Sequence, residues 1–324
     1  MAMDNSLIFL NACKNGQKGV VQAFVKKGGI DYNKRDTFGN TPLFYACMKG
    51  ARDIVKLLLD NGADPGIANN KNLTPLHAVS QSGNKEITAM LVEAGADINA
   101  TDNEGKTALI YTLAEQRTET AKYLIEKGAD VNIADNSGHK AIDYATAYGL
   151  RDIIALLGNA DTSDVSGNTP LHQAVYNGQT EVIRTLVKQQ NVNAVNDDGE
   201  TPLLLACMQG NLAIVNILLR AGADAKLRLL NGNTALHYAA SQGNRFIGKQ
   251  LLDADAEVDA QNEDGETALI VAAMCGQNDF SAMLIENGAN VNLADNEQRT
   301  ALSYASEQGF TEIVEQLIVA GAEG

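Results

Sequence analysis

A segment of about 33 residues recurs along the 324-residue chain, and that period constrains the fold more than any other feature. Asp36-Thr37-Phe38-Gly39-Asn40-Thr41-Pro42-Leu43 returns as Asp102-Asn103-Glu104-Gly105-Lys106-Thr107-Ala108-Leu109. It opens again at Asp164, Asn196, Leu229, Asn262 and Asp295, with looser copies at Asn69 and Asp135. Together with an N-terminal copy these make about ten units.

Each unit reads as one piece of helical structure. Thr caps a helix well and Pro suits its first turn, so Thr41-Pro42, Thr74-Pro75, Thr169-Pro170 and Thr201-Pro202 mark helix starts. Gly50, Gly83 and Gly210 then stop those helices. A second helix follows, with apolar residues at helical spacing: Ile54, Val55, Leu57 and Leu58 in one unit, Ile214, Val215, Leu218 and Leu219 in another. Neither helix can bury its apolar face within one unit, so the units must stack and share a core. The expected architecture is an all-α solenoid of about ten stacked repeats, each a pair of antiparallel helices with a β-turn finger at the junction. In the fourth unit Gln116 stands where the stopping Gly is due, and the first helix there is expected to run on through Arg117.

A longer period lies over the short one. Tyr45-Ala46-Cys47-Met48 matches Leu205-Ala206-Cys207-Met208, and Val131-Asn132-Ile133-Ala134-Asp135 matches Val291-Asn292-Leu293-Ala294-Asp295, both 160 residues on. The interval from Gly138 to Gly167 is only 29 residues. These features predict two five-repeat modules, residues 1–160 and 161–324, each with a cap at its outer end. A worn cap, a shortened finger and a change of twist are expected near residue 160.

The formal net charge of −15 is unevenly divided. Residues 1–160 carry 17 basic and 18 acidic side chains, while residues 161–324 carry the remaining 8 and 22, a net −1 against −14. So acidic a chain is a poor phosphate neutraliser, which argues against nucleic acid and anionic membranes as partners. No apolar run approaches the length of a membrane span, and the four cysteines are too scattered for a disulfide framework. A cytoplasmic chain without cofactor or metal is expected.

Thr169-Pro170-Leu171-His172, Asn233-Thr234-Ala235-Leu236-His237 and Gly128-Ala129-Asp130-Val131-Asn132 resemble the ankyrin repeat, and the resemblance covers about residues 4–322. It implies a binding module that takes a protein or peptide on its concave face, formed by finger tips and by the ends of the first helices. In the first module that placement falls on Phe38, Met48, Lys49 and Tyr148, with Lys71, Leu73 and Lys106 beside them. In the second module the finger positions are Asp197, Asp198, Glu200, Glu263, Asp264 and Glu266. The helix ends there are Tyr176, Asn177, Met208, Met274 and Glu307. An acidic surface with Met and Tyr interleaved suits a basic, partly apolar partner. Leu229 and Leu230 replace the usual polar turn residues of the eighth finger and are candidate anchors.

Catalytic chemistry finds no support. His77, His172 and His237 share one slot in three units, and stacked helices about 8–10 Å apart would hold them too far apart to share a metal. They are expected to bond backbone near a finger and steady the next repeat. Cys13, Cys47 and Cys207 follow an Ala in a packing slot and read as buried thiols. The function expected is that of a monomeric, non-enzymatic scaffold. The alternatives are an inhibitor or effector that blocks a specific enzyme, and a structural homo-oligomer.

Overall fold

A computed structural model describes residues 5–157, 163–164 and 166–323, and contains twenty helices among them. The chain divides into two compact units, Met1–Thr162 and Ser163–Gly324. In the first unit the helices are α1 (Asn5–Lys14), α2 (Lys18–Lys27), α3 (Pro42–Lys49), α4 (Arg52–Asp60), α5 (Pro75–Ser82), α6 (Lys85–Glu93), α7 (Ala108–Ala114), α8 (Thr118–Glu126), α9 (Ala141–Ala147) and α10 (Arg151–Leu157). In the second they are α11 (Pro170–Tyr176), α12 (Thr180–Leu186), α13 (Pro202–Met208), α14 (Leu212–Arg220), α15 (Ala235–Gln242), α16 (Arg245–Asp253), α17 (Ala268–Met274), α18 (Asn278–Glu286), α19 (Ala301–Gln308) and α20 (Thr311–Val319).

Within each unit the odd-numbered helices pack side by side in one layer and the even-numbered helices in a second. The core lies between the layers: Leu43, Ile54 and Leu58 are fully buried in one repeat, and Leu236, Ile247 and Leu251 in another. The starts follow the capping chemistry. Thr41 Oγ1 accepts from the Phe44 N–H at 3.1 Å, and Thr201 Oγ1 from the Leu204 N–H at 3.2 Å. Gly50 ends α3 in the left-handed conformation, with φ of 71°.

The fourth repeat departs from expectation. Its first helix stops at Ala114 rather than continuing through Arg117, because Gln116 itself adopts φ of 55°. The stack enforces the turn against the cost of a Cβ in that region. Residues 158–162 and 165 lie outside the described residues, and with them the worn cap and shortened finger expected near residue 160.

Every finger but the eighth is built by one carboxylate or amide at its opening position. Asp36 Oδ1 accepts from the Phe38 and Asn40 N–H groups, both at 2.9 Å, and Asp102, Asp135, Asp164 and Asp295 repeat the arrangement. Neighbouring fingers are then stitched together. The N–H of Asn70 donates to the Phe38 carbonyl oxygen at 3.0 Å, that of Asn103 to Lys71 at 3.1 Å and that of Asn136 to Glu104 at 2.8 Å. In the second unit Asp197 donates to Ser166, Glu263 to Asn231 and Asn296 to Asp264.

Candidate protein-binding surface

The residues singled out from the sequence occupy two strips per unit, the finger tips and the ends of the first helices. Met48 and Lys49 end α3, Tyr148 follows α9, and Tyr176, Met208 and Met274 end α11, α13 and α17; all are exposed. In the second unit glutamine amides tie these helix ends to one another. Gln209 Nε2 donates to the Tyr176 carbonyl oxygen at 3.1 Å, and Gln242 Nε2 to that of Met208 at 2.8 Å. Exposed side chains at successive helix ends therefore project from a braced strip.

The acidic finger residues divide into two kinds. Asp197, Asp198, Glu263 and Asp264 are exposed. Glu200 and Glu266 are half-buried, and each accepts at 2.9 Å from the amide of its own finger, Asn196 or Asn262. Their carboxylates brace the finger as well as charge it. Leu230 is 73% exposed, whereas Leu229 is half-buried in the position that Asp holds elsewhere. Phe38 stands exposed on the second finger of the first unit, its carbonyl oxygen held by the Asn70 N–H. Leu73 and Lys106 are half-buried, and Lys106 is paired with Glu104 at 2.8 Å.

The three equivalent histidines do structural work. His77 Nδ1 accepts from the Thr74 N–H at 3.1 Å, which places the proton of the neutral ring on Nε2. Nε2 donates to the Lys106 carbonyl oxygen of the next repeat at 3.0 Å. His172 bonds Thr169 and Glu200 in the same way, and His237 bonds Thr234 and Glu266. Burial pushes all three imidazoles below their ordinary range despite the carbonyls that favour the cation. Burial likewise pushes the Cys13 and Cys207 thiols up to about 12 and raises that of Cys47, which leaves them inert.

A pairing that the motif reading missed runs through the fingers. The hydroxyls of Tyr45, Tyr111, Tyr144 and Tyr304 donate to the Oδ2 of the Asp nine residues earlier, at 2.6 to 2.7 Å. Where that residue is Asn69, Asn196 or Asn262, its Nδ2 instead donates to Asn40, Asn168 or Asn233 of the preceding repeat. The position nine residues on is then apolar: Ala78, Leu205 or Val271. The signal was present as an Asp and Tyr at fixed spacing. Also unforeseen is Phe246, 66% exposed on α16 where most repeats place an acid in the first turn of the second helix.

Among the described residues no group of three or more His, Cys, Asp or Glu side chains could hold a metal ion. No helix among them is long and apolar enough to cross a membrane.

Comparison with known proteins agrees with this architecture. A family model described as ankyrin repeats in three copies matches residues 9–102, 97–165, 134–196, 153–228, 171–262 and 236–324. A putative ankyrin repeat protein of fowlpox virus is 47% identical over 58 residues, 18% of this chain and 13% of that protein. Human ankyrin repeat domain-containing protein 13C is 30% identical over 73 residues, 22% of this chain and 14% of its own length. The poly(ADP-ribose) polymerase tankyrase of Caenorhabditis elegans is 38% identical over 65 residues, 20% of this chain but 3% of the enzyme. The chain thus covers only a small part of the relatives it matches.

Proposed function

The chain belongs to the ankyrin-repeat family, whose members are generally non-enzymatic protein-interaction modules, and on that premise we propose that it is a scaffold binding a protein or peptide along its finger tips and first-helix ends. The observation that carries this reading is the braced strip of the second unit. Tyr176, Met208 and Met274 project from successive or alternate first helices, beside fingers that present Asp197, Asp198, Glu263 and Asp264. Exposed aromatic and Met side chains supply contact area, while the carboxylates select and orient a basic partner. The strip of the first unit, with Phe38, Met48, Lys49 and Tyr148, has mixed charge and a different preference. Binding to the acidic strip weakens as salt rises, because its charges are exposed.

The test is selection from a displayed library of random peptides on the immobilised full chain, followed by affinity measurements on variants. Asp197→Lys/Asp198→Lys and Met208→Ala weaken the selected peptides if the reading is right, whereas Phe246→Ser on an outer helix does not. Peptides sensitive only to Phe246→Ser would overturn it.

A further inference from the structure

The eighth repeat breaks three local rules at one place. Leu229 stands in the finger position that pairs with a tyrosine elsewhere, yet the tyrosine is retained as Tyr238. Leu229 offers it no acceptor, and among the described residues no protein group bonds the Tyr238 hydroxyl. The tip itself is Leu230, 73% exposed; the equivalent position is Thr37 in the second repeat and Val165 in the sixth, and in the others it is Asn70, Asn103, Asn136, Asp197, Glu263 or Asn296. Those six residues donate their N–H to the preceding finger, whereas the N–H of Leu230 makes no backbone bond to Asp198. The Leu230 side chain instead lies over Gly199, whose missing Cβ would come within 3.0 Å of Leu230 Cγ.

These departures leave the finger short of acceptors, and only the Asn233 N–H finds a substitute, Asn231 Oδ1 at 3.1 Å. Sequences keep such local conflicts mainly where function requires them. The surroundings specify the chemistry. The seventh finger presents Asp197 and Asp198 and the ninth presents Glu263 and Asp264, all exposed, with no basic side chain at the tips of these three fingers. Arg228, the nearest cation along the chain, is held by Glu257 at 2.9 Å.

We infer that the eighth finger is the anchor point of the binding face: Leu230 takes an aliphatic or aromatic side chain from an extended partner segment flanked by Lys or Arg, with the Tyr238 hydroxyl free to bond the segment's main chain. Neighbouring repeats lie about 10 Å apart and an extended chain advances about 3.3 Å per residue. The flanking cations therefore fall roughly three residues on either side of the apolar one. The inference rests on the binding face proposed above and adds its partner's pattern and its central contact.

The same displayed-peptide selection tests it. The enriched peptides are expected to carry an apolar residue with basic residues about three positions away, and Leu230→Asn is expected to weaken them at least tenfold. Asn occupies this tip in four other repeats, so the variant is compatible with the fold, and an unchanged circular dichroism spectrum and melting curve would confirm that. Unchanged affinity for Leu230→Asn, or enriched peptides without the basic and apolar pattern, overturns the anchor. If Leu230→Asn is silent while Asp197→Lys/Asp198→Lys still weakens binding, the anchor fails and the face stands. If both are silent and only Phe246→Ser weakens binding, anchor and face fail together.

Discussion

His172 Nε2 donates to the carbonyl oxygen of Glu200 at 3.0 Å, so the first helix of one repeat closes the finger of the next. The bond requires a neutral ring with its proton on Nε2, because Nδ1 is occupied by the Thr169 N–H. His77 and His237 repeat it in two other places.

Acid should therefore loosen the stack before carboxylates titrate. In the folded chain burial lowers the three histidine pKa values, while in the unfolded chain they lie near the ordinary value of about 6.5. Below about 6.5 the unfolded state takes up protons that the folded state refuses, so stability is full above that pH and falls as pH drops towards the folded values. The steepest loss is about 1.4 kcal/mol per pH unit for each histidine, about 4 kcal/mol for three. Urea midpoints measured at pH 7.5 and 5.5 report it. His172→Leu, which places there the residue that Leu204 supplies one repeat later, should remove about a third of the slope.

Gln116→Gly should stabilise the chain by about 1 kcal/mol, since Gln116 sits at φ of 55° in a slot that is Gly in most repeats. A rise in the denaturant midpoint is the expected result; no change would mean that the side chain offsets its backbone strain.

The Asp–Tyr pairing predicts two unlike outcomes for one chemical change. Tyr304→Phe removes the donor to the buried Asp295 carboxylate at 2.7 Å and should cost about 2 kcal/mol. Tyr238→Phe removes a hydroxyl that no protein group bonds among the described residues, and should cost little. Equal losses in thermal unfolding would contradict the assignment of that hydroxyl as unpartnered.

Leu229→Asp should restore the finger design: an acceptor for Tyr238 and for the backbone N–H groups two and four residues on. The gain from a charge-assisted hydrogen bond exceeds the burial lost from a half-buried Leu, for a net stabilisation of about 1 kcal/mol. Peptide binding should weaken in the same variant, and the two effects can be read on one preparation.

Much of this molecule was legible in its sequence because a repeat states its rules ten times. The Thr-Pro starts, the Gly stops and the shared histidine slot each recur, and local chemistry suffices to place them. Gln116 misled because propensity cannot show that the stacked neighbours would hold a non-Gly residue in the left-handed region. Leu229 and Leu230 are alike as candidate anchors in the sequence, yet their exposures differ, since consecutive residues of a turn face different surroundings. The sequence places Glu200 and Glu266 among the acidic finger positions, and only the three-dimensional finger shows Asn196 and Asn262 holding them.

The most direct test of a binding face at the finger tips and helix ends is amide hydrogen exchange of the full chain with and without a saturating selected peptide. Slower exchange at the fingers spanning residues 197–200, 229–233 and 263–266, with α14, α16 and α18 unchanged on the opposite layer, is the predicted result. Protection confined to those outer helices, with the fingers exchanging as in the free chain, would contradict the account.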